Sequence, residues 1–115
     1  MIVGLLIVID MKDLSASKRR LFRKKRRKLM ERTRLERIKN GVYFVSFEDP
    51  KPSTHEIREV RDLIQRFHVK ARFFLAQQVE IEDQFEADIY DETGKIDPSR
   101  LKGFFVVKPI KIQEI

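Results

Sequence analysis

The sequence predicts an α+β protein, a ferredoxin-like βαββαβ sandwich with an extra C-terminal strand, assembled as a homodimer. Three observations predict it. Apolar runs of strand length alternate with two helix-length segments, in the order strand, helix, strand or hairpin, helix, strand, strand. Two β-α-β units with right-handed crossovers then place both helices on one face of a mainly antiparallel sheet. Aromatic residues such as Phe44, Phe74 and Phe105 nevertheless occupy both strand phases. The face without helices is therefore too apolar for water, and it is expected to pair with a second copy.

Each element has its own signal. Residues 2 to 9, IVGLLIVI, are apolar on both phases, as in a central strand covered on both sides. The run is far shorter than the roughly 20 residues of a membrane span. Positive charge follows it, whereas a secretory signal puts the charge first. The expectation is a soluble, cytoplasmic protein without a membrane partner. Asp10 ends the run. Asp13, Ser15 and Ser17 are candidate N-caps for a helix reaching about Arg34. Leu21, Phe22, Leu29 and Met30 give that helix a narrow apolar stripe.

Val42 to Phe47 is β-branched and aromatic, hence a strand. Asn40-Gly41 before it is a hairpin signal, so residues 35 to 39 either pair back as a short strand or extend one long strand. Ser53 and Glu56 form a capping-box pattern. Ile57, Val60, Ile64 and Phe67 follow at helical spacing. From Val69 the period becomes two, and Val79 and Ile81 continue its phase. The stretch DETGKIDP reads as turns. GFFVVKPIKIQEI is a last strand that Pro109 assigns to an edge or ends. Residues 1–81 form the ferredoxin-like core. Residues 82–115, an acidic segment and the C-terminal strand, belong to the same domain.

The chemistry is carried by charge. Nine of the eleven residues from Lys18 to Lys28 are Lys or Arg, and the whole chain carries a net charge of +7. Like charges three and four residues apart repel on a helix, so this run costs stability unless something negative offsets it. A solvated face usually mixes signs, and this one has no acid. The run therefore reads as a phosphate-contacting surface. Lys18, Arg19, Arg20, Arg23, Lys24, Arg26 and Arg27 are its candidate nucleic-acid-binding residues. A membrane-surface helix would want Trp or a broad apolar face, and this helix has neither. Eight acids between Glu80 and Asp97 either shield the basic helix in cis, reach a basic partner, or form an ordinary polar loop. Tyr43, Phe73 and Phe74 are candidate stacking rings, though aromatics in strands more often belong to the core.

The chain has no cysteine, which excludes disulfides and thiolate metal sites. His55 and His68 have no readable orienting partner for general-base work. No phosphate-cradling Gly-rich loop and no Ser/His/Asp arrangement is present. Asp10, beside the start of a basic helix, is either a Mg²⁺-binding carboxylate or a solvated strand end.

A strand ending in Asp10, KRR at 18 to 20 and LERIKNGVYF at 35 to 44 resemble CRISPR-associated protein two over about residues 2 to 81. The VapD toxin family shares the architecture. Ile9 stands where the first family usually has an aromatic, Lys39 where it has glutamine and Gly41 where it has serine. The resemblance implies a nucleic-acid-binding homodimer of the spacer-acquisition machinery in antiviral defense. Its partners would be duplex DNA or single-stranded RNA, and an integrase subunit. It also implies a metal-dependent endonuclease, in which Asp10 of each subunit is the catalytic residue and holds Mg²⁺ or another divalent cation. Arg19, Arg20 and Arg37 would contact phosphate, and Tyr43 would pack near the site. The alternative is a non-catalytic DNA- or RNA-binding regulator or scaffold with the same fold.

Overall fold

The computed structural model of the chain describes residues 2–48, 54–80 and 89–111. The opening apolar run becomes strand β1 (Ile2–Asp10), at the centre of the sheet. Both of its phases are buried from Gly4 to Ile9, as its continuous Leu, Ile and Val content requires. Helix α1 (Ala16–Arg32) follows, then strands β2 (Leu35–Lys39) and β3 (Val42–Ser46), helix α2 (Thr54–Arg66) and strand β4 (Lys70–Gln78). A 3₁₀ turn at Pro98–Arg100 leads into strand β5 (Phe104–Ile110). The strand order is β2-β3-β1-β4-β5, and every neighbouring pair is antiparallel. This α+β arrangement is compatible with a ferredoxin-like sandwich carrying one more strand at the β4 edge. Pro109 lies on that edge strand, where a missing N–H is tolerated.

Residues 35 to 46 form a hairpin rather than one long strand, because Gly41 adopts φ +80° at the turn. A Cβ there would also lie 2.9 Å from the Ile9 carbonyl oxygen. The Ile9 N–H donates to the Gly41 carbonyl at 2.8 Å, which ties the turn to the end of β1. Helix α2 ends in a Schellman motif. His68 takes φ 51°, its N–H donates to Gln65, and the Val69 N–H donates to Ile64. The accompanying apolar contact is present, since Val69 and Ile64 share the core. Ser53 and Ile81 lie outside the described residues. Glu56 accepts the Arg34 backbone N–H at 2.5 Å, so it ties α2 to the start of β2.

Both helices dock on one face of the sheet. Phe22 and Leu29 of α1 and Val60 and Ile64 of α2 pack with Leu5, Ile7, Tyr43 and Phe73. Phe22 meets Phe67 edge to face, with ring centroids 5.4 Å apart. Leu21, expected in the α1 stripe, is exposed. Its Cα sits a quarter turn from Phe22, and the half-buried Arg19 and Arg26 fill the stripe instead.

The opposite face is covered by the chain itself. Leu6, Val42, Phe44 and Ala76 are buried beneath Ile89, Leu101 and Phe104, with Ile96 packed against them. This apolar face therefore needs no second copy to keep it from water. Phe105 is not part of it: the residue is 69% exposed, opposite Gln77 at the edge. Two aspartates fold the covering segment. Asp91 Oδ1 accepts the Thr93 N–H and hydroxyl and the Lys95 N–H, closing a turn with Gly94 at φ +79°. Asp97 Oδ1 accepts the Ser99 N–H and hydroxyl and so caps the 3₁₀ turn. Hydrogen bonds from Thr93 and Ser99, respectively, are the largest causes holding both carboxyls below their ordinary range.

Candidate nucleic-acid interface

Helix α1 is built to be basic and only just amphipathic. Ser15 caps it from an extended conformation, its Oγ accepting the Lys18 N–H at 3.3 Å. The first turn contains no acid to complement the helix dipole. Thr33 closes the other end, its hydroxyl donating to the Leu29 carbonyl at 2.8 Å. Because Phe22 and Leu29 must face the sheet, the 3.6-residue period turns Arg20, Arg23, Lys24, Arg27 and Lys28 outward, while Lys18 and Lys25 flank the anchors and are exposed beside them. Among the described residues, no carboxylate pairs with any of the nine cations between Lys18 and Lys28. Only Arg32, in the last turn, reaches one, Glu59 of α2 at 3.5 Å.

Tyr43 is not at the surface, and Arg26 is half-buried. Tyr43 is 2% exposed beneath α1, and its hydroxyl accepts from Arg26 Nη1 at 2.8 Å. The guanidinium carbon stands 5.9 Å from the ring centroid. The pair is an internal strut between helix and sheet, and Tyr43 has no open face for a base to stack on. Phe73 is buried as well, and Phe74 is half-buried with the Arg72 guanidinium over its ring. Arg37 is exposed on β2 opposite Tyr43, which places it on the helix-bearing face at the sheet edge beside α1.

The outward basic face of α1 continues into a cavity of about 420 Å³ at the end of β1. Six cations line it: Lys12, Arg19, Arg23, Lys70, Arg72 and Lys95. Asp10 is the one carboxylate among the lining residues. The β1–β4 register sets Lys70 opposite Asp10 and Arg72 opposite Val8. Lys70 Nζ pairs with Asp13 at 3.0 Å, and this contact raises the Lys70 pKa. Arg72 Nη2 donates to the Ile96 carbonyl, which ties the covering loop to the sheet. Lys12, Lys70, Arg72 and Lys95 do not stand out in the sequence, because strand register and loop packing bring them together. The pairing of the β1 end with the β4 start is the signal that would have found Lys70 and Arg72.

Asp10 Oδ1 accepts the Lys12 backbone N–H at 3.0 Å, so one of its oxygens organises the loop before α1. No group of three or more His, Asp or Glu residues is placed to hold a metal ion among the described residues. One carboxylate facing six cations does not fit a divalent ion; a site of that kind would require acidic ligands beyond those the described residues bring to the cavity. Among the described acids between Glu80 and Asp97, none pairs with α1. Asp91 and Asp97 instead bond within their own turns, in the segment that covers the sheet face opposite the helices.

Comparison with family models, curated proteins and solved structures returned no match. No helix among the described residues is long and apolar enough to cross a membrane.

Proposed function

We propose that the protein binds nucleic acid through the sugar–phosphate backbone, with the outward face of α1 as the contact surface. One observation carries this reading. Seven exposed cations stand on three turns of helix without a carboxylate partner among the described residues, while Arg37 and the Lys12–Lys70 cavity extend the same sign of charge. Such a surface gains affinity by releasing condensed counterions, whatever the base sequence. In its finer form the reading is a ferredoxin-like homodimer of the type found in CRISPR spacer acquisition. The strand order supports that form. So do Val3 and Phe105, which are exposed on either side of Gln77 and offer apolar area to a second copy. Cleavage is not part of the proposal, since Asp10 stands among cations with one oxygen already engaged.

The test is the salt dependence of duplex DNA and single-stranded RNA binding, read by fluorescence anisotropy. Wild type is expected to lose affinity steeply between low and physiological salt. The Arg20→Gln/Lys24→Gln/Arg27→Gln/Lys28→Gln variant should flatten the slope of log K against log salt by up to about 3.6, at roughly 0.9 per phosphate contact on duplex DNA. An unchanged slope would place the binding surface elsewhere.

A further inference from the structure

We infer that the cavity at the end of β1 is a binding pocket for a phosphomonoester, the group carried by a 5′-mononucleotide and by the 5′-phosphorylated end of a strand. The inference deepens the nucleic-acid reading, and it rests on that reading only for the strand end as a source.

Shape is the first argument. The outward face of α1 is convex and suits a continuous backbone. The cavity is concave, and its volume of about 420 Å³ lies within the usual size of a small-molecule site. It is bounded by the end of β1, the Asn40-Gly41 turn, the start of β4 and the loop from Tyr90 to Ile96. An internal phosphate of a duplex is tethered to a sugar on both sides and could enter only if the strand bent away from its helical path, whereas a terminal phosphate or a free nucleotide could enter directly.

Charge is the second. Six cations against one carboxylate exceed what a singly charged phosphodiester needs. A phosphomonoester carries about −1.5 to −2 at neutral pH and three acceptor oxygens. Not all six cations are free to serve. Lys70 is engaged with Asp13 and Arg72 with the Ile96 carbonyl, and Lys95 interacts with Asp91. Lys12, Arg19 and Arg23 have no such partner among the described residues, and they come from the loop before α1 and its first two turns. Val8, Ile9 and Ile96 supply apolar wall for the sugar and base, as small-molecule sites require.

The experiment uses one single-stranded oligonucleotide in two forms, 5′-phosphorylated and 5′-hydroxyl, together with adenosine 5′-monophosphate and adenosine. The phosphorylated strand should bind about tenfold tighter or better, the gain expected of one or more charge-assisted hydrogen bonds. Adenosine monophosphate should compete that advantage away, and adenosine should not. Lys12→Gln/Arg23→Gln should shrink the ratio between the two strands. Arg20→Gln/Lys24→Gln should weaken both strands by a common factor and leave the ratio intact. A strand-end preference without mononucleotide binding identifies the strand end as ligand, and mononucleotide binding without that preference identifies the free nucleotide; either supports the pocket. Equal affinity of the two strands together with no binding of adenosine monophosphate would overturn it. Tight, salt-sensitive binding of the hydroxyl strand in that case would leave the backbone reading standing, and loss of binding of both strands would remove that reading separately.

Discussion

Helices α1 and α2 pack side by side on the same sheet face, yet they use charge in opposite ways. In α2 the acids are employed within the fold. Glu56 holds the Arg34 N–H, Glu59 reaches Arg32 and His55 at 3.5 Å each, and Asp62 lies 3.4 Å from Arg61. Helix α2 also presents an apolar stripe through Val60, Leu63 and Ile64, continued just past its end by Phe67. In α1 the two buried anchors, Phe22 and Leu29, share the stripe with two arginines, and the cations from Lys18 to Lys28 meet no carboxylate among the described residues. The difference separates two problems. α2 is arranged for stability, and α1 keeps only enough apolar contact to hold a repelling charge array against the sheet.

The sharpest way to break this comparison is through the anchors, where the helices should behave alike. Phe22→Ala should cost about 3–5 kcal/mol and Ile64→Ala about 2–5 kcal/mol, each measured by urea unfolding. A loss below about 1 kcal/mol for Phe22→Ala would mean that α1 is not docked by its core residues.

Tyr43→Phe gives a smaller effect that belongs to α1 alone. It deletes the acceptor for the Arg26 guanidinium, and a hydrogen bond to a charged group is worth roughly 1.5–3 kcal/mol. The same change should leave nucleic-acid affinity within about threefold, because the ring is covered and removes no phosphate contact. A large loss of affinity at unchanged stability would return Tyr43 to the binding surface.

The smallest effect lies on the other side of the sheet and should leave both helices alone. Asp91 and Asp97 have folded pKa values below the unfolded 3.8, so their contribution is present above that value. It is lost as pH falls below 3.8 toward the depressed folded values. At pH below 3.8, hydrogen-exchange protection should therefore be lost first at residues 91 to 99, with α1 and α2 still protected. Simultaneous exposure of all three segments would show that the turns do not act as a separate latch.

Much of the architecture is legible in the sequence, for a physical reason. Continuous β-branched runs, the Asn40-Gly41 turn and the i, i+3, i+4, i+7 pattern of α2 are local signals, and each element formed where its signal lies. The cover of the second sheet face was not legible. Ile89, Ile96 and Leu101 are isolated apolar residues separated by turn and charged residues, with no period to reveal that they converge. The basic helix was legible as charge, but its division of labour was not. Arg19 and Arg26 look like their neighbours until Phe22 and Leu29 fix the rotation of the helix. The cavity depends on the register of β4 against β1, which no local pattern encodes.

The central claim is that α1 carries uncompensated repulsion that a phosphate chain relieves. Like charges three or four residues apart, such as Arg20 with Lys24 and Lys24 with Lys28, cost about 0.2–0.5 kcal/mol per pair. Thermal unfolding at low salt, with and without duplex DNA, tests this most directly. For the free protein, the Arg20→Gln/Lys24→Gln/Arg27→Gln/Lys28→Gln variant should melt higher than wild type. Duplex DNA should raise the wild-type midpoint well above its free value and move the variant little. A wild-type protein that is no less stable than the variant, with a midpoint that duplex DNA does not shift, would contradict the account.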